Sequence, residues 1–569
     1  MKSFPPARLS RTVGATAVAI VALFASCGSE FAAASVPTTE IEFDHASGFY
    51  ESGFRVNLLS PVQGATIYYT TNASAPHPAA GLRYRGSIPI STTTVLRATA
   101  FKGDTALTDS AARTYLFANS ILQQNGDHLP QVWGTNSGSP IPAHYSVSPS
   151  RDDAQRREII AGLQSIPTLS IITDPRNLFS IQNGIYLHPL QRGDDWERPA
   201  SIEVFGLQDQ SGFRINGGLR IHGGMTRRPE ESPKHSFRLL FKRRYGAAKL
   251  HFPVFRSDGS SEFDELILRA GGSDSWIDSY GQRRQRATYV RDEWMRQSMA
   301  AMGYPSARGR FVHLYLNGLY WGIYNLCERP SAPVANQTSS SYDVRNADKM
   351  ESGDPVAWDK LMVLANSGLA DAARYRAASR CLDLTQLADY LILNFYAGNA
   401  DWSRSANWYA IRPRRPDGKF QFFVWDAEQT FGEVDANTLS LDDDESPMRL
   451  FHKLRENAAF RSLFAARAQR LLFANGPLSP EVGAERWRRL TDTSERAMAA
   501  ESARWGNYRA QVHQFKSGHY EELSVQAHWR PEVNRILSEY IPRRRGILLE
   551  QFREIGLFPP ADKPLENSR

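Results

Sequence analysis

Apolar and polar residues alternate with a period of two in the early part of the chain and take a helical spacing towards its end. From about Ile41 to Phe117 the alternation comes in short runs, among them Ile67-Tyr68-Tyr69-Thr70 and Val95 to Phe101, with turn residues at Gly64-Ala65 and Asn72-Ala73-Ser74. Short alternating strands punctuated in this way predict a small β-sandwich over residues 38–117. Residues 118–160 are polar and rich in Ser, Pro and Asn, which predicts a linker. A second globular unit opens near Ile166 with the strand-like run Leu169 to Ile172, followed by Gly184 to Leu187 and Ile202 to Phe205.

The middle of the chain is more explicit. After Lys234, the residues Phe237, Leu239 and Phe241 mark one face of a strand. Arg291 to Met302 carries Met295, Met299 and Met302 at i, i+4 and i+7, with Gly303 placed to cap a helix. Asn317-Gly318 between alternating apolar residues of Phe311 to Leu326 predicts a tight hairpin. Leu384, Leu387, Leu391 and Phe395 line a helix that stops at Gly398, and Phe420 to Trp425 reads as a buried strand running into Asp426. Beyond Ser446 the sequence is rich in Arg, Leu, Ala and Glu at helical spacing, so 161–440 reads as an α+β core and 441–569 as a helical C-terminal lobe.

The N-terminal text adds a location. Lys2, Arg8 and Arg11 precede the apolar run Val13 to Ala25, the pattern of a signal peptide over 1–34. Phe24-Ala25-Ser26-Cys27 has the form of a lipobox, whereas Ala32-Ala33-Ala34 offers an ordinary cleavage site. The expectation is therefore an exported protein in the periplasm, on the surface or outside the cell, touching a membrane only if Cys27 carries a lipid. Beyond that segment only Cys327 and Cys381 remain, too few for a disulfide framework. They can pair or stay as buried thiols. The net charge of +7 lies in short clusters such as Lys242-Arg243-Arg244 and Arg543 to Arg545. Such a surface suits anionic envelope polymers or phosphate groups. No nucleic-acid-binding motif accompanies it, which argues against that partner.

Candidate chemistry stands at the ends of predicted elements: Lys234 before a strand, Asp292 and Glu293 opening a helix, Asp401 and Asn407 in a loop, and Asp426 ending a strand. Phosphoryl transfer asks for a cation on the nucleotide phosphates, a carboxylate to fix it, a base near the acceptor hydroxyl and oxygen ligands for Mg²⁺. Each role has a candidate in chain order. A plainer reading is available for several of them, since acidic residues in a first turn suit the helix dipole without further function. A carboxylate directly after Phe422-Phe423-Val424-Trp425 is harder to explain without a cation or several donors beside it.

The runs "GLRIHGGMTRRPEESPKHSFRLLFKRRYG", "VRDEW", "HLYLNGLYWGIYNLCERP", "NADWSRSANWYAIR" and "FFVWDAEQTFGE" resemble the spore-coat CotH family of atypical kinases. The resemblance spans roughly Ile166 to Glu433 and implies a bilobed kinase-like core that uses ATP and Mg²⁺. It implies Lys234 on the phosphates, Gly223 and Gly224 in the loop over the nucleotide, and Asp292 or Glu293 as the lysine's partner. Asp401 would be the catalytic base, with Asp426, Asn407 and Glu428 on the metal side. The family's usual Asn lies five residues after the catalytic Asp; here Ser403 stands two residues on and Asn407 six. The segment "GATIYYTTNASAP" resembles the C-terminal immunoglobulin-like module of chitobiases and β-hexosaminidases, an accessory domain there.

The leading expectation is an exported kinase acting on a hydroxyl of a protein or envelope polymer. The second is a non-catalytic surface protein that binds polysaccharide or a partner on the same fold. A third is a glycoside hydrolase using two of Asp401, Asp426 and Glu428, which would have to flank a sugar at about 5 to 9.5 Å.

Overall fold

A computed structural model describes residues 40–148, 152–207, 212–255, 261–331, 341–402 and 406–560. The signal-like segment with Cys27 and Ala32-Ala33-Ala34, and also Ser403, lie outside the described residues. Among those described, no helix is long and apolar enough to cross a membrane. The protein is mixed α/β, with a β-rich N-terminal region and a helical C-terminal region.

The predicted sandwich is present. Its main sheet joins Gly48–Phe49, Ala111–Leu116, Thr94–Lys102, Thr66–Thr70 and Leu82–Arg83, and smaller pairs join Phe54–Val56 to Ile88–Ile90 and Glu42–Phe43 to Leu58–Leu59. Ile67, Ile88, Ile90, Leu96, Ala98 and Tyr115 fill its interior, as the alternation requires.

The central unit is a closed barrel of seven strands: β1 (Thr168–Ile172), β2 (Arg198–Phe205), β3 (Phe213–His222), β4 (Ser236–Leu240), β5 (Glu265–Arg269), β6 (Gly309–Leu316) and β7 (Leu319–Cys327). Neighbours are antiparallel except β1 and β6, whose parallel pairing closes the ring. The β6–β7 hairpin turns at Asn317 and Gly318 with φ of 50° and 84°, the left-handed pair that an Asn-Gly turn supplies. A four-stranded sheet follows, made of β8 (Tyr342–Asn346), β9 (Lys349–Ser352), β10 (Trp408–Pro413) and β11 (Gln421–Val424) in the order β9-β8-β10-β11.

The helices packed against these strands include α1 (Asp153–Leu163), α2 (Arg291–Ala301), α3 (Leu384–Tyr396) and α4 (Pro480–Trp505). Met295, Met299 and Met302 enter the core as their spacing predicts, and Gly303 ends the helix at φ 90°. Helices α2 and α3 share one hydrophobic core with β11 and with Leu450, Phe464, Trp487 and Phe552 of the C-terminal helices. The expected boundary at 440/441 therefore separates no independent lobes. Cys327 and Cys381 are unpaired, the first of them buried.

Two expectations are corrected by packing. Residues 118–160 are not a linker: Val132–Asn136 pairs with Ser139–Pro142, and α1 begins at Asp153 behind the capping carboxylate of Asp152. Trp133 is fully buried in the barrel core, where its indole N–H donates to the Tyr145 hydroxyl at 2.9 Å. Composition misled here because a few apolar side chains anchor an otherwise polar strap. Nor does the sandwich stand apart from the barrel as an accessory module joined by a linker would. Glu203 of β2 is buried against it, accepting bonds from Ser47 at 3.0 Å and Thr114 at 3.0 Å, while Thr114 also shares a 2.8 Å bond with Ser170 of β1. Ala73, Val95 and Ala112 pack on Ile172 of β1 beside this polar seam.

Burial pushes the Glu203 carboxyl up to about 7, against the lowering effect of the Ser47 and Thr114 bonds. Arg113 lies 3.8 Å away and is too distant for a close hydrogen bond. A carboxyl whose pKa is higher in the folded protein than in the unfolded chain lends stability below its ordinary value of 4.5 and loses it as pH rises to about 7. Glu203→Gln should thus leave stability near pH 4.5 unchanged and raise it at pH 8 by on the order of 1–3 kcal/mol, read from urea melts at both values. A chain truncated to begin at residue 160 removes Trp133 and opens this seam; it should melt well below the parent by calorimetry instead of behaving as an intact core.

Candidate active site

A cleft of 550 Å³ lies between the barrel and the four-stranded sheet. On the barrel side it is bounded by the loop after β3. Gly223 takes φ 113° there, and a Cβ on it would come within 2.4 Å of the Thr226 hydroxyl, so only glycine fits. Gly224 has open space around it. The buried Arg227 holds the loop down, donating to the carbonyls of Gly223 at 2.8 Å and Pro189 at 2.7 Å.

The opposite wall carries Asp401, Asn407, Asp426 and Glu428, all in the cleft lining. Asp426 follows β11 in a left-handed conformation, φ 59°, and the side chain is 44% exposed. The Ala427 N–H donates to Asp292 of α2 at 2.9 Å, which fixes the backbone just beyond Asp426. Asn407 is also left-handed, φ 67°, and its amide N–H donates to the Asp401 carbonyl at 2.7 Å. The Asp401 backbone N–H is held by Asn399 at 3.1 Å, and Gln429 donates to its carboxylate. Burial and the neighbouring Asp426 raise the Asp401 pKa, against the pull of Arg283 and Asn407. Asp401 is therefore a stronger base than an ordinary aspartate.

The cation that meets these carboxylates is Arg269, which the sequence reading missed. It ends β5, is 8% exposed, and its Nη2 lies 2.5 Å from both Asp426 Oδ1 and Glu428 Oε1. Nε stands 3.5 Å from Asp292 Oδ2, and the guanidinium lies over the Trp425 ring at 4.8 Å. Burial alone would lower the Arg269 pKa; Asp292, Asp426 and Glu428 together raise it well above the usual value. Glu428 is fully engaged, since its second oxygen accepts from the Ser273 N–H at 2.6 Å, and burial pushes its carboxyl up to about 7. A signal existed in the sequence: Arg269 is a charge closing the apolar run Leu266 to Leu268 and followed, after Ala270, by two glycines, the same kind of pattern that singled out Asp426.

Two expected members stand elsewhere. Lys234 is completely buried outside the cleft, with Nζ 2.5 Å from Glu501 Oε1 of α4 and 2.7 Å from the Ile323 carbonyl. Neither Asp292 nor Glu293 is its partner. The ammonium also faces the Tyr324 ring at 4.9 Å, and Glu501 takes further bonds from the Ile323 N–H at 2.6 Å and the Tyr289 hydroxyl at 3.1 Å. Glu293 turns away from Arg269 to Arg296, 2.6 Å, and Asn325, 3.2 Å. Both carboxylates reach Arg296, but only Asp292 also faces Arg269.

Residues 219–339 and 331–548 match the family described as CotH kinase protein. The chain belongs to this family. Its match runs from β3 through both walls of the cleft into the C-terminal helices, more than half of the 569 residues. Residues 45–113 match the chitobiase/beta-hexosaminidase C-terminal domain, within the sandwich. No curated protein matches the chain. This CotH kinase-like protein thus carries on β5 the cation that meets its cleft carboxylates, while Lys234 joins the barrel to α4.

Removing one partner of a buried ion pair strands the other charge in the interior. Lys234→Met should destabilise the fold by about 3–5 kcal/mol in denaturant melts, and loss of activity in that variant should follow loss of folded protein.

Proposed function

We propose that this protein transfers a phosphoryl group from Mg-ATP to a hydroxyl of a protein or envelope polymer outside the cytoplasm, on a bilobed kinase-like core with the barrel above the cleft and the helical region below. The observation that carries the reading is Arg269, a buried guanidinium held in the cleft between Asp292 of α2 and Asp426 after β11. That is the cation, and the carboxylate fixing it, which phosphoryl transfer requires.

The residues present fit the nucleotide and its metal. The cleft volume is that of a ligand pocket, and Arg192, Arg220, Arg238, Arg329 and Lys349 line it beside Arg269. Among the described residues no cluster of three or more His, Cys, Asp or Glu is set for a metal. Mg²⁺ takes few protein ligands and completes its shell with phosphate and water, so the exposed carboxylate of Asp426 and the amide oxygen of Asn407 suffice. Mg²⁺, when bound, would neutralise charge on the phosphates.

The chain's own contributions follow from position. Arg269 supplies a fixed, fork-shaped donor to phosphate oxygens. The Gly223-Gly224 loop lets backbone N–H groups approach the phosphates where a side chain would obstruct them. Asp401 accepts the proton of the acceptor hydroxyl, helped by its raised pKa. Glu428, with both oxygens occupied, orients Arg269 and Ser273 and takes no part in proton transfer. The same engagement argues against a hydrolase in which Glu428 and Asp426 flank a sugar. Export is supported by the basic and apolar N-terminal pattern.

Nucleotide binding is tested first: Mg-ATP at 100 times its dissociation constant should stabilise the full chain by about 2.7 kcal/mol. Asp426→Asn should weaken Mg-ATP binding and abolish transfer together. Asp401→Asn should leave binding nearly intact and lower turnover on the order of 10²- to 10⁴-fold, because a general base acts on the way to the transition state. Parent and variants binding nucleotide equally and keeping full biological activity would favour a non-catalytic surface protein instead.

A further inference from the structure

A second cavity, of 410 Å³, opens beside α2, and none of its lining residues lines the cleft. Ile166, Leu207, Phe255, Phe311 and Leu490 give it apolar walls. Glu293, Gln297, Arg310 and Arg489 supply the charged and amide groups.

The charges are not equivalent. Glu293 is 4% exposed and its negative charge is answered within the protein by Arg296 at 2.6 Å, with Asn325 at 3.2 Å and Gln297 at 2.8 Å adding hydrogen bonds. Arg489 is exposed and donates to the neutral side-chain oxygen of Gln297 at 3.0 Å, and among the described residues no carboxylate forms an ion pair with it. A cavity of ligand size that combines these apolar walls with an amide and a guanidinium at its edge suits an amphipathic anion.

The same contacts form a continuous chain to the cleft. Arg489 bonds Gln297 at 3.0 Å, Gln297 bonds Glu293 at 2.8 Å, and Glu293 meets Arg296 at 2.6 Å. Arg296 donates in turn to Asp292 at 2.9 Å, and Asp292 faces Arg269 at 3.5 Å. There is no slack at the centre. A Cβ on Gly309 would come within 2.1 Å of Glu293 and 2.9 Å of Arg296.

We propose that this cavity binds a small amphipathic anion, such as a medium-chain carboxylate, and that binding is transmitted to the cleft along Gln297, Glu293, Arg296 and Asp292. An anion taking Arg489 releases Gln297, which alters the third bond to Glu293 and the sharing of Arg296 between Glu293 and Asp292. Binding at the cavity stands on its own geometry; its effect on catalysis rests on the nucleotide reading of the cleft.

Decanoate, below its micellar concentration, is the probe, titrated calorimetrically into the full chain. The parent should bind it, and decylamine should not. Thr493→Trp, an exposed position that fills the cavity, and Arg489→Glu, which reverses the charge, should each weaken binding by about tenfold or more. No binding by the parent, or equal binding by parent and both variants, overturns the site. Transmission is read without nucleotide by hydrogen exchange of the Ala427 amide, which Asp292 holds. Decanoate should change its protection in the parent and not in Gln297→Leu; unchanged protection in the parent overturns transmission. Mg-ATP affinity should also shift by about five- to tenfold with decanoate. Absence of Mg-ATP binding with and without decanoate would refute the nucleotide reading alone, since calorimetry and exchange decide the rest.

Discussion

A guanidinium withdrawn from water has to be met by carboxylates, and Arg269 gathers them from separate parts of the chain. Asp292 comes from the first turn of α2, and Asp426 and Glu428 from the segment after β11. α2 follows β5 along the chain, whereas Asp426 lies 157 positions beyond Arg269. Leaving the charge unpaired in the interior would cost several kcal/mol, so barrel, helix and sheet are constrained to converge on one point. That point is the floor of the cleft. The arrangement also keeps Asp426 half-exposed, available to the cleft while its neighbour Ala427 is tied to α2.

A second buried cation does different work a short distance away. Lys234 and Glu501 are both inaccessible to solvent and fasten the barrel to α4. Gly322 belongs to the same joint, since a Cβ there would sit 2.4 Å from the Glu501 carboxylate. The barrel is thus held to the helical region by one ion pair in the core and opened towards a cleft by another set at the edge. Arg296, shared by Asp292 and Glu293, connects the cleft set to the opposite face of α2.

The N-terminal sandwich is integrated by similar means. Glu203, Ser47, Thr114 and Ser170 form a dry polar seam, with an apolar patch beside it where Ile172 meets Ala73, Val95 and Ala112. The region that matches the chitobiase/beta-hexosaminidase C-terminal domain is thus packed directly against the barrel.

Local periodicity was sufficient for the elements themselves. The Asn317-Gly318 turn, the Met295-Met299-Met302 stripe with Gly303 behind it, the strand into Asp426 and the small sandwich are all set by interactions a few residues long, and they stand in the structure as read. The motif order also identified the family and brought Gly223, Gly224, Asp401, Asn407, Asp426 and Glu428 to one cleft. What the chain could not disclose locally was which opposite charges meet. Lys234 finds Glu501 across 267 positions, and Arg269 finds Asp426 across 157, because burial selects partners by three-dimensional proximity and desolvation, neither of which has a sequence period. The strap through Trp133 was hidden for the same reason: one indole packed into the barrel core counts for little in composition and for much in packing.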